Sequence, residues 1–359
     1  MQKVIVSLDA MGGANAPTAV IEAALKIANS NPSVHFLIFG DYEAVYPIIT
    51  KLSFPKDRYD FFVTKSVIYD HDKPLHAFKN GKDSSMRKSI DAVKDGLAHA
   101  CVSSGNTGAL MVTSKLVLGV LPGVKRPAIA GAFPTNNGRL IMLDMGANNE
   151  CSESVIFQFA LMGQCLAKIV LLIENPSIAI LNVGEEETKG RELEQKSYEL
   201  LKESGLNFIG YVEGHDIVKG KADVIVTDGF SGNLVLKASE GVANMLMNML
   251  QEATKNSGIL SLIGGLLLKK SLKKRLEHID PNSNNGAMFI GLNGIVIKSH
   301  GASTVVGIAN AINLAYELAS REINTHIIRE IKELDEKGIG LNFVEKIKQK
   351  SARILGLST

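Results

Sequence analysis

Glycines and polar side chains alternate in residues 222–241 (ADVIVTDGFSGNLVLKASEG) in a way that suits the binding of an anion. The β-branched run Val224–Val226 predicts a buried strand, and the apolar spacing from Leu234 onwards predicts a helix. Between them, residues 227–233 predict a glycine turn at the carboxyl end of the strand, where the free N–H groups of a helix start can hold an anion. The groups available for this chemistry are Asp228, Gly229, Ser231, Gly232, Asn233 and Lys237.

The order strand, glycine turn, helix recurs along the chain, which favours a binding function over an ordinary connecting loop. Predicted strands are followed by polar or glycine-rich turns at residues 9–13, 103–108, 144–149, 182–190 and 298–301. The successive small and polar residues of 103–108 (SSGNTG) expose backbone N–H groups to a phosphate or a carbonyl oxygen. Because the carboxyl ends of parallel strands lie at one edge of a sheet, we expect these turns to gather along one edge and form a cleft.

Strands alternate with helices throughout, which predicts an α/β fold with a doubly wound, mainly parallel sheet. The chain has 359 residues, of which 45% are hydrophobic and 33 are glycine, so it is globular and rich in turns. That length suffices for one large domain over residues 1–359.

Charge, cysteine usage and hydropathy limit the partners and the cellular compartment that the sequence supports. Lys and Arg number 39 against 37 Asp and Glu, and a net charge of +2 gives no global attraction for nucleic acid. The three cysteines lack CxxC or Cys/His ligand spacing, which indicates buried thiols in a reducing compartment. A first strand at residues 4–8 in place of a signal peptide, and the lack of an apolar run of about 20 residues, predict a cytoplasmic protein.

Standard nucleotide and nucleophile motifs are absent from the sequence. It contains no GxxxxGK[ST] and no GxGxxG after the first strand, so neither a P-loop nor a standard dinucleotide site is supported. GxSxG is also missing, and no cysteine stands in an evidently activated setting. The remaining chemistry is a reaction of an anionic small molecule that needs no nucleophilic side chain.

Two further segments allow alternative interpretations. Glu185, Glu186 and Glu187 stand beside Gly184 and could bind a metal, but they also suit the positive end of a helix, and we favour the helix start. From Leu260 to Ile279 an apolar stretch leads into a basic one at helical spacing. This segment belongs to a helical excursion at about residues 245–285, which could form a dimer contact, a dock for an acidic carrier protein or a contact with an anionic membrane surface.

Longer motifs make the chain recognisable, because it resembles the bacterial acyl-ACP:phosphate acyltransferases, the PlsX family. The matching stretches occur in order over nearly the whole chain, at residues 9–13 (DAMGG), 103–111 (SSGNTGALM), 126–128 (RPA), 143–148 (LDMGAN), 181–190 (LNVGEEETKG), 222–241 and 291–303 (GLNGIVIKSHGAS). The chain departs from the family at Ala14, where an acid is usual, and at Tyr211, where asparagine is usual. Residues 285–288 (NGAM) replace a common Gly-Gly-Ala-Pro.

The resemblance implies transfer of a long-chain fatty acyl group from the thioester of acyl carrier protein to inorganic phosphate, giving acyl phosphate for phospholipid synthesis. It also implies a three-layer α/β/α fold like those of phosphotransacetylases and of isocitrate and isopropylmalate dehydrogenases. Members are typically homodimers in peripheral contact with the membrane, which here would involve Leu260 to Ile279. No metal or organic cofactor is implied.

Candidate roles follow from this chemistry. We predict that Lys298 and His300 hold phosphate, and that His300 either protonates the leaving thiolate or only orients phosphate. Asn106 and Asn233 are predicted to donate hydrogen bonds to the thioester carbonyl oxygen. Asp228 is predicted to orient a cation or accept a proton, although it could instead cap the next helix. Further predicted substrate-binding residues are Asp9, Gly12, Gly13, Ser104, Gly105, Thr107, Gly108, Arg126, Gly146, Asn148, Gly184, Glu185, Glu186, Lys189, Gly229, Ser231, Gly232 and Lys237.

Two other function classes remain open at this point. A phosphotransacetylase-like enzyme would take its acyl group from coenzyme A, and would need a compact pocket near the glycine turns. A non-enzymatic membrane scaffold would need only the apolar and basic segment, and would leave the glycine turns without a function.

Overall fold

A computed structural model describes residues 3–136, 138–255 and 285–336 of the chain. The predicted membrane segment, Leu260 to Ile279, lies outside these residues. Eleven strands are described: β1 (Val4–Asp9), β2 (Val34–Gly40), β3 (Tyr59–Val63), β4 (Ala100–Ser103), β5 (Ala128–Thr135), β6 (Gly138–Leu143), β7 (Ile178–Leu181), β8 (Phe208–Val212), β9 (Val224–Val226), β10 (Ala287–Ile290) and β11 (Ile295–Lys298).

All of these strands form one sheet, in the order β3-β2-β1-β4-β11-β10-β5-β6-β9-β7-β8. Strand β10 is antiparallel to both β11 and β5, and β5 is antiparallel to β6, whereas the other pairings are parallel. The mainly parallel sheet predicted from the sequence is therefore confirmed.

The three antiparallel pairings reverse the strand direction between the two halves of the sheet. Strands β1, β4 and β11 run in one direction, whereas β6, β7 and β9 run in the opposite direction. The register nevertheless places the carboxyl ends of both halves at the same level, since Lys298 is level with Ala287, Gly131 and Met142, and Met142 is one residue before the end of β6. The glycine turns predicted along one edge therefore form two groups, one from each half, that meet at this level of the sheet.

Helices cover both faces of the sheet and complete the three layers. They are α1 (Thr18–Ser30), α2 (Tyr42–Lys51), α3 (Pro74–Asn80), α4 (Ser85–Lys94), α5 (Thr107–Leu118), α6 (Glu153–Val170), α7 (Glu192–Lys202), α8 (Gly214–Ile217), α9 (Gly229–Lys255), α10 (Val305–Ser320) and α11 (Ile323–Glu336). One core cluster packs α1, α6, α10 and α11 on one face, and another packs α4 and α5 on the opposite face. Side chains alternate along each strand, so Val296 of β11 joins the second cluster while Ile295 and Ile297 join the first.

Helix α6 is long and apolar enough to cross a bilayer, and it is the one such helix in the part of the chain that the structure describes. However, 83% of it is buried inside the protein. It packs against β6, β9, α7 and α11. These contacts identify α6 as the central core helix of the second half.

Candidate functional site

The first group of loops follows β1, β4 and β11, which are neighbours in the sheet and end at the same edge. The loops touch one another closely. Ala14 N donates to the carbonyl oxygen of Gly301 over 2.8 Å. A Cβ atom on Gly12 would lie 2.5 Å from Asp9 Oδ2 and 2.7 Å from the backbone nitrogen of Gly105. Only a glycine allows the β1 and β4 loops to approach this closely.

Asp9 is the buried anchor of this group. Its carboxylate accepts hydrogen bonds from Ser85 Oγ and Ser103 Oγ, each at 2.6 Å. Burial raises the pKa of the Asp9 carboxyl, and the two serine hydroxyls oppose this shift. These contacts show Asp9 joining helix α4 to the end of β4, so the loops around it are preorganised.

Lys298, the last residue of β11, places a partly buried ammonium group beside these loops. Its Nζ donates to the carbonyl oxygen of Ser104 over 3.2 Å and to that of Ser299. Burial lowers the pKa of Lys298 to about 8, Asp70 and Asp9 oppose the shift, and Lys237 adds to it. Lys237 therefore lies close enough for the two ammonium groups to repel each other, and an anion between them would relieve this repulsion.

His300 is exposed in the loop after β11, and its backbone is held by Asn285. His300 N donates to Asn285 Oδ1 over 3.0 Å, and Asn285 Nδ2 donates to Ser299 Oγ and Ser303 Oγ over 2.9 and 2.6 Å. His300 Nδ1 accepts from Ala302 N over 3.3 Å, which in the neutral ring leaves the proton on Nε2. Asn285 was not selected from the sequence. The available signal was that residues 285–288, which begin with Asn285, differ from the family's common Gly-Gly-Ala-Pro.

Asn106 uses its side chain within the protein. Its Oδ1 accepts from Ala109 N over 3.0 Å and so caps α5, while Nδ2 faces the carbonyl oxygens of Tyr69, Asp70 and Asp72 at 3.2, 3.0 and 2.9 Å. The amide is thus engaged with the 69–72 segment rather than directed at a substrate carbonyl. In this geometry Asn106 is a cap and an anchor, and its contact with a thioester carbonyl stays a prediction. The neighbouring Thr107 is exposed, and Gly108 packs beneath Pro74.

We expect the Asn106→Ala substitution to free the 69–72 segment. It removes an N-cap, worth about 1 kcal/mol, together with the donor that holds three carbonyl groups. Hydrogen exchange of the amides in 66–73 should accelerate, as measured by mass spectrometry. Asn80→Ala is the matched control, because Asn80 Nδ2 bonds only to the nearby His76 carbonyl in the described hydrogen bonds. Equal exchange in the wild type and in Asn106→Ala would contradict the anchoring role.

The second group of loops follows β6, β7 and β9 and is organised by Asp144, which sequence reasoning did not select. Its buried carboxylate accepts from the backbone nitrogens of Ile129, Gly146, Ala147 and Asn148, and from Asn148 Nδ2 at 2.9 Å. Burial raises the pKa of the Asp144 carboxyl. The Asn148 amide also donates to the Pro127 carbonyl over 2.8 Å, so it holds the loop together.

Helix α9 begins at Gly229, so the predicted glycine turn at 227–233 is wrong and most of these residues are helical. The glycines serve close packing. A Cβ atom on Gly232 would lie 1.9 Å from the carbonyl oxygen of Asp144, and one on Gly229 would lie 2.7 Å from Asn148 N. The start of α9 therefore lies directly against the β6 loop.

Asp228 caps α9, which was the alternative to its predicted catalytic role. Its Oδ1 accepts from Ser231 N over 2.7 Å. The side chain of Arg191, absent from the predicted site, binds both Asp228 and Glu194. Nearby, Arg126 donates to the Glu150 carbonyl over 2.9 Å, and the exposed Asn233 lies beside Gly146.

The acidic turn after β7 is engaged in surface ion pairs. Glu185 pairs with Lys221 at 2.5 Å and Glu187 with Lys202 at 3.1 Å, whereas Gly184, Glu186 and Lys189 complete the turn. Helix α7 begins only at Glu192, so the helix-start interpretation of these acids is wrong. Within the described ranges, no group of three or more His, Cys, Asp or Glu residues could hold a metal ion.

Helix α9 connects the two groups of loops. It starts at the second group, and two turns later Lys237 lies within electrostatic range of Lys298 in the first group. Asn233 and Lys237 are four residues apart and therefore share one face of the helix. The structure thus places Lys298, Lys237, His300 and the turns at 12–13 and 104–105 in one region, whereas the 184–189 turn belongs to the second group of loops.

We expect phosphate affinity to fall as the pH rises through about 8, because Lys298 then loses its charge. The KM for phosphate should increase between pH 7.5 and 9, and Lys298→Arg should shift the rise to higher pH. The contribution of Lys298 to the free energy of unfolding changes in the opposite direction, since it increases as the pH rises. The folded pKa lies below the unfolded value of 10.5, so the cost of burying the charge is full below pH 8 and is relieved from there towards pH 10.5. A KM independent of pH over this range would exclude Lys298 as the titrating group.

Comparison with known proteins decides the family. Residues 4–326 match the family model described as "Fatty acid synthesis protein". A phosphate acyltransferase from Wolbachia pipientis wMel is 43% identical over 92% of this chain and 98% of its own length. Another, from Ehrlichia ruminantium, is 44% identical over the same shares of both chains. The chain belongs to the phosphate acyltransferase family.

Family membership establishes an acyltransferase of fatty acid and lipid synthesis, so the scaffold without enzymatic activity is excluded. Among solved structures, a phosphotransacetylase from Streptococcus pyogenes aligns over 89% of this chain and 94% of its own, with a TM-score of 0.61 and 18% identity. A branched-chain phosphotransacylase from Enterococcus faecalis covers 88% of this chain and 98% of its own, with a TM-score of 0.53. The phosphotransacetylase-like fold predicted for this phosphate acyltransferase is therefore confirmed.

Proposed function

We propose that this protein transfers a long-chain fatty acyl group from the thioester of acyl carrier protein to inorganic phosphate, forming acyl phosphate for phospholipid synthesis. The observation that carries the proposal is the partly buried Lys298 ammonium, hydrogen-bonded to the Ser104 carbonyl and within electrostatic range of Lys237, beside three closely packed turns. Two cations and a set of backbone N–H groups suit a small, doubly charged anion.

Phosphate would bind between Lys298 and Lys237, with His300 at the exposed side. The turns at Gly12–Gly13 and Ser104–Gly105 supply the backbone around it. Two Lys298 contacts are with carbonyl oxygens, which leaves part of its donor capacity for an anion. Holding phosphate in place is the main catalytic task, because phosphate is already a nucleophile.

The reaction balances without any further reactant. A phosphate oxygen attacks the thioester carbonyl carbon, and the C–S bond breaks as the tetrahedral intermediate collapses. Hydrogen phosphate loses one proton, which ends on the sulfur of the carrier, so the products are acyl phosphate and free thiol. Because His300 Nδ1 accepts from Ala302 N, the neutral ring presents an N–H at Nε2, which can donate a hydrogen bond to phosphate or to the leaving sulfur while the phosphate proton passes to that sulfur.

Asn233 is the remaining candidate donor to the carbonyl oxygen, since the Asn106 amide is engaged elsewhere. It is exposed and shares a helix face with Lys237. Asp228, together with Arg191, would position the start of α9 and thereby both side chains.

We further propose a homodimer in peripheral contact with the cytoplasmic membrane surface. Four apolar side chains at helical spacing on α9 are 52–59% exposed, namely Val242, Met245, Leu246 and Met249. Helix α9 leads directly into the basic and apolar stretch of the sequence. No nucleic-acid partner is proposed, because the net charge is only +2.

The decisive experiment is single-turnover conversion of purified long-chain acyl carrier protein with and without inorganic phosphate. We expect acyl phosphate to form only when phosphate is present. Consumption of the thioester without phosphate, with free fatty acid as product, would reject the proposed acceptor.

Coenzyme A is the second candidate carrier, because the structural relatives include phosphotransacetylases. The same assay with long-chain acyl-coenzyme A decides between the two. A higher kcat/KM for acyl-coenzyme A than for the carrier protein would favour this second function.

A further inference from the structure

Asp70 places a further carboxylate at the first group of loops, and it was not selected from the sequence. One short turn holds it beside Lys298. The Ser104 carbonyl accepts from Lys298 Nζ over 3.2 Å, and two residues later Asn106 Nδ2 donates to the Asp70 carbonyl over 3.0 Å. Two residues span at most about 7 Å of backbone, so both groups lie at the same loop. The electrostatics agree, since burial lowers the pKa of Lys298 and Asp70 opposes this shift more than Asp9 does.

The backbone of Asp70 is fixed, whereas its exposed carboxylate is unused. Asp72 N donates to the Tyr69 carbonyl over 3.1 Å, and Asp72 Oδ2 accepts from Tyr69 N over 2.8 Å, so the 69–72 turn is closed by two hydrogen bonds besides those from the Asn106 amide. Within the ranges that the structure describes, no group donates a hydrogen bond to the Asp70 carboxylate, and no cation lies within 4.0 Å of it. The carboxylate is therefore held near the ammonium of Lys298 with its full capacity to accept hydrogen bonds.

A carboxylate beside an anion site repels every anion that brings no proton. The Asp70 carboxylate accepts hydrogen bonds and donates none. Hydrogen phosphate keeps a hydroxyl group at neutral pH and can donate it, whereas sulfate has a similar size and charge but carries no proton. A site that contains both Lys298 and Asp70 therefore attracts the charge of phosphate and, through its hydroxyl, distinguishes it from sulfate.

We propose that Asp70 selects phosphate as the acceptor by accepting a hydrogen bond from its hydroxyl group, while Lys298 binds an unprotonated oxygen of the same anion. The inference rests on the proposed function, because it adds a residue to the phosphate site between Lys298 and Lys237. The other unprotonated oxygens remain available for Lys237 and for attack on the thioester. A hydrogen bond to a charged acceptor is stronger than one between neutral groups, and it corresponds to roughly 10–100-fold in affinity.

Calorimetric titration of the purified full-length protein with phosphate, sulfate and fluorophosphate tests the proposal. Fluorophosphate keeps the charge and nearly the shape of hydrogen phosphate, but has fluorine in place of the hydroxyl group. We expect the wild type to bind phosphate roughly 10–100-fold more tightly than either of the other anions. In Asp70→Asn this preference should fall to within about threefold, because the variant loses the acceptor for the hydroxyl and also the charge that repels sulfate and fluorophosphate.

Asp83→Asn is the matched control, because it removes the same charge from a neighbouring loop. Asp83 is exposed, pairs with Lys88 at 3.4 Å and is not among the charged groups that act on Lys298. We expect this variant to keep the wild-type preference for phosphate. Asn106→Ala, which frees the turn that carries Asp70, should lower the preference by less than Asp70→Asn does.

Three results would overturn the inference. Asp70→Asn could keep the wild-type preference, or it could bind all three anions more tightly by the same factor, which would leave Asp70 with a general repulsion only. The wild type could also bind the three anions equally or bind none of them. The formation of acyl phosphate is a separate measurement. A wild-type protein that binds phosphate selectively but forms no acyl phosphate would reject the proposed function, and the calorimetry would still decide the role of Asp70.

Discussion

Replacing Lys298 by methionine should lower kcat/KM for phosphate by roughly 10²–10³-fold, the loss typical of removing one preorganised charged donor. Methionine keeps the length and apolar stem of the side chain but removes its charge, which lies within electrostatic range of Lys237. Because burial of the ammonium already disfavours its charged form, the variant should be at least as stable as the wild type. Initial rates at varied phosphate, together with a thermal unfolding midpoint, measure both effects.

The Lys237→Met variant is compared with Lys298→Met, and we expect it to have a smaller effect on phosphate binding. Lys237 is exposed and pairs with Glu240 at 2.9 Å, so its loss should weaken phosphate binding less than the loss of the partly buried Lys298. If Lys298→Met kept wild-type kinetics for phosphate, the anion site would have to lie elsewhere. A fall in activity accompanied by a lower unfolding midpoint would instead indicate a structural role.

Substituting alanine for Gly232 should have the largest effect on folding, with a loss of more than about 3 kcal/mol in the free energy of unfolding. The new Cβ would lie 1.9 Å from the Asp144 carbonyl oxygen, and neither helix α9 nor the β6 loop can move without breaking the contacts of Asp144. The denaturant midpoint, or the yield of folded protein, measures this loss.

Gly241→Ala in the same helix is the control. Nothing lies within 4 Å of the Cβ position at Gly241, so alanine there should stabilise the exposed helix by roughly 1 kcal/mol. A lower free energy of unfolding for Gly232→Ala and a higher one for Gly241→Ala would distinguish the effect of close packing from that of helix propensity. A Gly232→Ala protein with the wild-type midpoint would show that the two loops can separate at little cost.

Most elements of the fold could be predicted from the sequence, because their signals are local. The limits of β7 (Ile178–Leu181) and β9 (Val224–Val226) agree with prediction, since apolar β-branched runs between turn residues define buried strands. Helix α1 buries the predicted Val20, Ala24 and Ile27. The glycine turns themselves were also correctly found at 12–13 and 104–105.

The sequence by itself thus determined the elements, the fold class and, through its motifs, the family. The tertiary structure alone decided which turns meet, because strand direction depends on pairings such as β10 with β5, between residues far apart in the chain. It also decided which polar groups remain available. Asn106 and Asp228 are engaged because the fold brings the Asp72 carbonyl and Arg191 within hydrogen-bonding distance, 34 and 37 residues away. The residue type determines which hydrogen bonds a side chain can donate or accept, whereas the folded chain determines its partners.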